Sequence, residues 1–212
     1  MSITDHAPSS LPPQAVVAIL RAPTARHFIA ASSILWDAGI RCFEFTLTTD
    51  GAIGAVLAFR EQQPEAIVGV GTVRTVDQLA AAHAAGAAFA VSQIFLPRLV
   101  ARADELGIPF VPGALTPTEI VAAWESGVSL VKVSPIGPVG GVAYLKELRG
   151  PLPDIALMPT GGVTLESAGA YLAAGAAAVG VSSAVFGDAL LTGDLTGLAD
   201  RAAQLSPLLA GV

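Results

Sequence analysis

Lysine is almost missing from this chain of 212 residues; only Lys132 and Lys146 occur. Cysteine occurs once, at Cys42, which excludes an intrachain disulfide framework and a clustered thiolate metal site. Charged residues make up only 13% of the chain, so much of its surface is expected to be covered in an oligomer. The formal net charge of −6 argues against nucleic acid as a partner. No apolar run approaches the roughly 18 to 20 residues of a spanning helix, so no membrane segment is expected. The opening stretch MSITDHAPSSLPPQ lacks a basic end followed by an apolar core, so no secretory signal is expected and the location is taken as cytoplasmic. His6, His27 and His83 fall on this stretch and on helical segments, without the spacing of a ligand cluster, so no metal is expected.

What the chain does have is alternation. Short β-rich runs at Ala15–Arg21, Cys42–Leu47, Ala66–Val73, Phe89–Ser92, Phe110–Leu115, Leu130–Ser134, Ile155–Thr160 and Ala178–Ser183 alternate with Ala-rich helical stretches. A last helix is expected from about Leu195 to Leu209. Gly39, Gly86, Gly107, Gly127 and Gly175 stand where helices end before the next strand, and Thr75, Thr116 and Thr164 stand where helices begin. Eight such units predict an α/β chain folded as a single (β/α)8 TIM barrel over residues 15–212, after an N-terminal tail of residues 1–14. A doubly wound open sheet is the second choice. In the barrel, chemistry belongs at the C-terminal ends of the strands.

Lys132 stands inside the apolar run Leu130-Val131-Lys132-Val133. An ammonium buried there is costly to keep charged, and the neutral amine is a nucleophile. The blander role is a lysine reaching from a strand end to water. Glu44 shares one face of its strand with Cys42 and Thr46, while Phe43, Phe45 and Leu47 share the other. The bulky face suits the helices, so Glu44 is predicted to point inward, where it can meet Lys132 as an acid/base or as a structural ion pair. Arg21 ends the first strand, where a guanidinium can hold a carboxylate or phosphate or simply face water. Gly161-Gly162 follows the seventh strand and Gly140-Gly141 precedes a helix; such pairs expose N–H groups that can cradle phosphate, with Ser182 and Ser183 of the eighth strand beside them.

The phrases Ala18-Ile19-Leu20-Arg21, Glu44-Phe45-Thr46-Leu47, Gly69-Val70-Gly71-Thr72-Val73, Pro112-Gly113, Val131-Lys132-Val133-Ser134-Pro135 and Pro159-Thr160-Gly161-Gly162-Val163 carry a resemblance. Over nearly its whole length the chain resembles the class I 2-keto-3-deoxy-6-phosphogluconate / 4-hydroxy-2-oxoglutarate aldolases. The resemblance implies a (β/α)8 barrel, usually a homotrimer, acting on a small-molecule 2-oxo acid without a cofactor. It implies that Lys132 forms the Schiff base and Glu44 shuttles protons. Thr72 and Thr160 then contact the pyruvyl part or a substrate hydroxyl, and Gly161, Gly162 and Ser183 hold the phosphate. Arg21 is similar to the arginine of the galactonate-type branch, and Thr160 to the gluconate-type branch. Three site positions depart from the gluconate-type pattern: Thr48 replaces an arginine, Gln93 a proline and Ser134 a phenylalanine. The expected reaction is cleavage of a 2-keto-3-deoxy-6-phospho sugar acid or 4-hydroxy-2-oxoglutarate to pyruvate and an aldehyde. A phosphosugar isomerase or epimerase, and a non-catalytic phosphosugar-binding barrel, are the rivals.

Overall fold

The computed structural model describes residues 11–209. Residues 1–10 of the expected tail, including His6, and residues 210–212 lie outside the described residues. Nine short strands and ten helices alternate among those described: β1 Ala15–Leu20, α1 Phe28–Asp37, β2 Cys42–Thr46, α2 Ala52–Gln62, β3 Ile67–Gly71, α3 Val76–Ala84, β4 Ala90–Val91, α4 Pro97–Leu106, β5 Phe110–Val111, β6 Gly113–Ala114, α5 Pro117–Trp124, β7 Val131–Val133, α6 Val142–Arg149, β8 Leu157–Pro159, α7 Leu165–Ala173, β9 Ala178–Val181, α8 Ser183–Phe186, α9 Ala189–Thr192 and α10 Leu198–Ala203. The helix boundaries follow local chemistry. Thr75, Thr116 and Thr164 each close a capping box at the start of α3, α5 and α7, and α4 ends on Gly107 at φ +68°.

The expected closed eight-stranded TIM barrel is not what the hydrogen bonding builds. All pairs are parallel, but they form a six-stranded sheet in the order β5-β4-β3-β2-β1-β9 and a separate three-stranded sheet, β6-β7-β8. The reason lies in one strand expected as continuous, Phe110–Leu115. Pro112 interrupts it with a residue that has no N–H to give a ladder, so β5 stays with the larger sheet and β6 joins the smaller. At the other seam no ladder forms between β8 and β9; an isolated bridge between Thr160 and Gly180 and a hydrogen bond from Ala177 N to the Leu157 carbonyl at 2.9 Å join them. Two smaller corrections follow. The last expected strand stops at Val181, so Ser183 opens a helix, and the expected terminal helix is reduced to α10 and a short 3-10 turn at Ser206–Leu208.

Two apolar layers hold the sheets. The outer layer lies between strands and helices; Phe45 packs edge-on against Phe28 at 5.2 Å and Phe43 against Phe59 at 5.1 Å. The inner layer contains Val17, Ile19, Cys42, Phe89, Val91, Val111, Leu130 and Met158, and so draws on strands of both sheets. The period-2 split of β2 is therefore as predicted, with the phenylalanines outward and Cys42 inward.

Burial pushes the Cys42 thiol up from its ordinary 9.0 to about 12. A protein folded around it holds essentially no thiolate at pH 8, so a maleimide is expected to leave it unmodified and to label one thiol per chain only in denaturant. The sign of the linkage is also fixed. The folded state keeps this proton more tightly, so the contribution to stability is intact below pH 9 and is lost as pH rises toward 12. Alkaline urea titrations of the protein and of Cys42→Ala check it, with the difference between them growing only above pH 9.

Candidate active site

The site begins with two charges in the interior. Lys132 is the middle residue of β7, and Glu44 the middle residue of β2, on the other sheet. Lys132 Nζ lies 3.6 Å from Glu44 Oε1, and the two side chains are 3% and 0% exposed. The separation makes an ion pair and is too long for a hydrogen bond. Neither carboxylate oxygen of Glu44 has a hydrogen-bond partner among the described residues. A buried ion pair stabilises a fold only when further hydrogen bonds satisfy the remaining lone pairs. This pair lacks them, so the geometry favours a chemical use over a structural one.

Backbone choices make room for these groups. A Cβ on Gly71, at the end of β3, would lie 1.8 Å from Glu44 Oε1, so the carboxyl occupies the space that any side chain there would take. Likewise a Cβ on Gly180 would lie 2.6 Å from Thr160 Oγ1 and 2.8 Å from Ile19 Cδ1. The period-2 spacing of Gly69 and Gly71 was the available sequence signal for such a niche.

Above Lys132 opens a cavity of about 370 Å³, lined by Ile19, Arg21, Thr72, Gln93, Lys132, Ser134, Pro135, Thr160, Gly161 and Ser182. It lies where the C-terminal ends of β1, β7 and β8 converge; Glu44, fully buried and 3.6 Å from the Lys132 amine, is not part of its wall. The rim is polar and cross-linked. Arg21 Nη2 donates to Thr72 Oγ1 at 3.3 Å, Gln93 Nε2 donates to the Ser134 carbonyl at 3.3 Å, and Ser182 Oγ donates to the Ile19 carbonyl at 2.8 Å. Thr72 holds φ +60°, a left-handed backbone that a β-branched residue seldom takes, and such strain gathers at functional positions. Gly161 and Gly162 follow β8 with φ of +83° and +79°. Among the described residues no group of three His, Cys, Asp or Glu side chains is placed to hold a metal.

Most of the expected residues therefore meet: Lys132, Arg21, Thr72, Gln93, Ser134, Thr160 and Gly161 line the cavity, and Glu44 reaches it through its contact with Lys132. Three do not line it. Thr48 is exposed and bonds Thr46 Oγ1 at 3.4 Å, Gly162 is exposed beside the cavity, and Ser183 is exposed at the start of α8. Ser182 lines the cavity where Ser183 was expected, because β9 ends one residue earlier and the chain turns into the helix. Ile19 and Pro135 also line it; as apolar residues in a strand and after one, they carried no sequence signal for a site.

Comparison with known proteins identifies the family. The family model described as KDPG and KHG aldolase matches residues 9–198. The chain is 37% identical over 191 residues to the 2-dehydro-3-deoxy-phosphogluconate aldolase of Dickeya dadantii, covering 88% of this chain and 90% of that one. It is 35% identical over 193 residues to the KHG/KDPG aldolase of Escherichia coli K12, covering 89% and 91%. Among solved structures it is similar to the KDPG aldolase of Legionella pneumophila with pyruvate captured as a covalent carbinolamine intermediate, with a TM-score of 0.83, 26% identity and coverage of 92% and 95%. It is also similar to the 2-keto-3-deoxy-6-phosphogluconate aldolase of Zymomonas mobilis with 3-phosphoglycerate, with a TM-score of 0.82, 26% identity and 94% coverage of each chain. The family model and these relatives, alike over nearly the whole chain, show that it belongs to the KDPG and KHG aldolase family.

Proposed function

We propose that this class I aldolase, a carbon–carbon lyase yielding pyruvate and an aldehyde, works through an imine on Lys132, with Glu44 carrying protons. One observation carries the assignment: the amine at the cavity floor has a single buried acid beside it, and that acid has no hydrogen-bond partner among the described residues. Lys132 passes a proton to Glu44, the freed amine attacks the C2 carbonyl of a 2-oxo-4-hydroxy acid, and Glu44 returns the proton as water leaves, giving the iminium and restoring the carboxylate. Glu44, 3.6 Å from the Lys132 amine, then takes the C4 hydroxyl proton, directly or relayed by a water molecule. The C3–C4 electron pair flows into the iminium, the aldehyde departs, and an enamine of pyruvate remains. Protonation at C3 and addition of water release pyruvate and restore the amine. The lysine supplies the electron sink. The carbinolamine seen in the Legionella relative is the adduct that precedes such an imine.

Binding roles follow from position. Arg21, free of any carboxylate partner among the described residues, takes the substrate carboxylate or a distal anion, with Thr72 held beside it. Thr160 sits at the floor to meet the pyruvyl part or the C4 hydroxyl. Gly161 and Gly162, with Ser183 across the β8–β9 seam, hold a phosphate, a reading supported by the 3-phosphoglycerate in the Zymomonas structure. Thr48, Gln93 and Ser134 adjust the fit of the aldehyde half. We further propose a cytoplasmic homotrimer, supported by the low proportion of charged residues; no helix among the described residues is long and apolar enough to cross a membrane.

Pyruvate release coupled to lactate dehydrogenase, over a panel of phosphorylated and unphosphorylated 2-oxo-4-hydroxy acids, tests the substrate class. The expected result is turnover of at least one member, with kcat/KM favouring the phosphorylated form about tenfold or more, the scale of one or two charge-assisted hydrogen bonds. Equal rates for the two forms would remove Gly161, Gly162 and Ser183 from the site. No pyruvate from any member would remove the assignment.

A further inference from the structure

The cavity over Lys132 is not closed on every side. A second cavity of about 490 Å³ adjoins it, and the two share Gln93 and Ser134 as walls. Those residues form the partition, since the Gln93 carboxamide donates to the Ser134 carbonyl at 3.3 Å, a long bond on an exposed side chain. Gly113 forms the floor beyond it and pairs directly with Lys132 in the β6–β7 register, so the second cavity begins one strand from the amine. A Cβ on Gly113 would lie 2.4 Å from the Gln93 carbonyl, so the glycine is what lets the partition seat against the floor.

Beyond the partition the walls are Ile94, Phe95, Ala114, Leu115, Thr118 and Ala122. Glu119 is the only charged residue lining them, and its charge is already engaged. Its Oε2 accepts from Thr116 N at 2.8 Å, Leu115 N at 3.0 Å and Thr116 Oγ1 at 3.0 Å, in the capping box of α5. The surface left to a ligand is therefore mainly apolar, with Thr118 its one uncharged polar side chain beyond the partition, and Ile94 remains 49% exposed on it.

We propose that this second cavity is a subsite for the aldehyde half of the substrate, taking an unbranched apolar chain, with Gln93 and Ser134 as the specificity-determining residues at its entrance. The inference rests on the aldolase reading above. Two routes then leave the reacting carbon: a polar one toward Gly161, suited to an anionic end, and an apolar one past Gln93. In the addition direction, the enamine C3 of pyruvate attacks the aldehyde carbon, the new C–C bond forms, the aldehyde oxygen takes a proton, and hydrolysis frees the 2-oxo-4-hydroxy acid.

The test is the rate of pyruvate addition to unbranched aldehydes from ethanal to octanal, by the wild-type protein and by Ala122→Trp. Ala122 is exposed on α5, where an indole can fill the cavity without entering the core. In the wild type, kcat/KM is expected to rise about two- to fourfold per methylene, mainly through KM, until the cavity is full. In Ala122→Trp the rise is expected to flatten. A flat wild-type series, or an undiminished rise in a folded variant, would overturn the subsite; the wild-type series decides alone if the variant does not fold. Borohydride trapping of pyruvate on the same preparation separates the two claims. An adduct with a flat series sinks the subsite only, and no adduct sinks the aldolase mechanism and the subsite with it.

Discussion

Lys132→Met is expected to lose pyruvate release by on the order of 10⁴-fold or more, the scale on which enzymes lose turnover when a nucleophile is removed. The same substitution has a second consequence. It leaves Glu44 buried, without hydrogen bonds among the described residues and without its cation. Breaking a buried pair from one side costs about 3–5 kcal/mol, because the remaining charge is uncompensated. Replacing both members with apolar groups of similar volume removes that penalty. Lys132→Met is therefore expected to have a lower urea midpoint than the wild type, and Lys132→Met/Glu44→Met to recover it while staying inactive. A double variant less stable than Lys132→Met would mean that the pair is held for the fold, and the chemical assignment would lose its main support.

Gly71→Ala is expected to lower kcat by about 10²- to 10⁴-fold, as much as Glu44→Gln, since both remove the contribution of a positioned acid/base. Gly71 touches no substrate in this account; it positions Glu44. The added methyl would sit 1.8 Å from Oε1, 2.5 Å from Cδ and 2.7 Å from Cγ, and the carboxyl must leave. Backbone strain does not enter, because Gly71 is not among the glycines with positive φ. Overpacking adds about 1–3 kcal/mol of destabilisation. Two readouts distinguish displacement of the acid from simple damage. Imine formation at Lys132 should persist, so borohydride still traps pyruvate while cleavage fails. Shortening the acid should also make room for the methyl, so Gly71→Ala/Glu44→Asp should turn over faster than Gly71→Ala alone. If the double variant is slower than either single one, Gly71 does not act through Glu44.

Much of this site can be read from residues alone. Lys132 stands out because lysine is rare and its neighbours are apolar, and Glu44 is oriented by the alternation of β2 against two phenylalanines that demand the helical side. Their meeting across two sheets needed the structure, because strand order and curvature bring together residues 88 apart in number. The closed barrel did not survive, although Pro112 in the middle of an apolar run was a visible warning that the run would not pair as one strand. Ser182 and Ser183 were separated by a boundary of one residue, and strand ends are set by tertiary pairing more than by local preference. Thr48 could be placed only by the structure; its hydroxyl turns to Thr46, and its side chain stands outside the wall of the cavity over Lys132. Of the second cavity only Gln93 and Ser134 stood out in the sequence; its apolar walls, among them Ile94, Phe95 and Leu115, carried no signal of their own.

The central claim is tested most directly by borohydride reduction of the protein with pyruvate, followed by peptide mass mapping. With two lysines in the chain the outcome is sharp. One reduced pyruvyl group on the peptide containing Lys132, and none on that containing Lys146, is the predicted result. An unmodified Lys132 in protein that still releases pyruvate would contradict it.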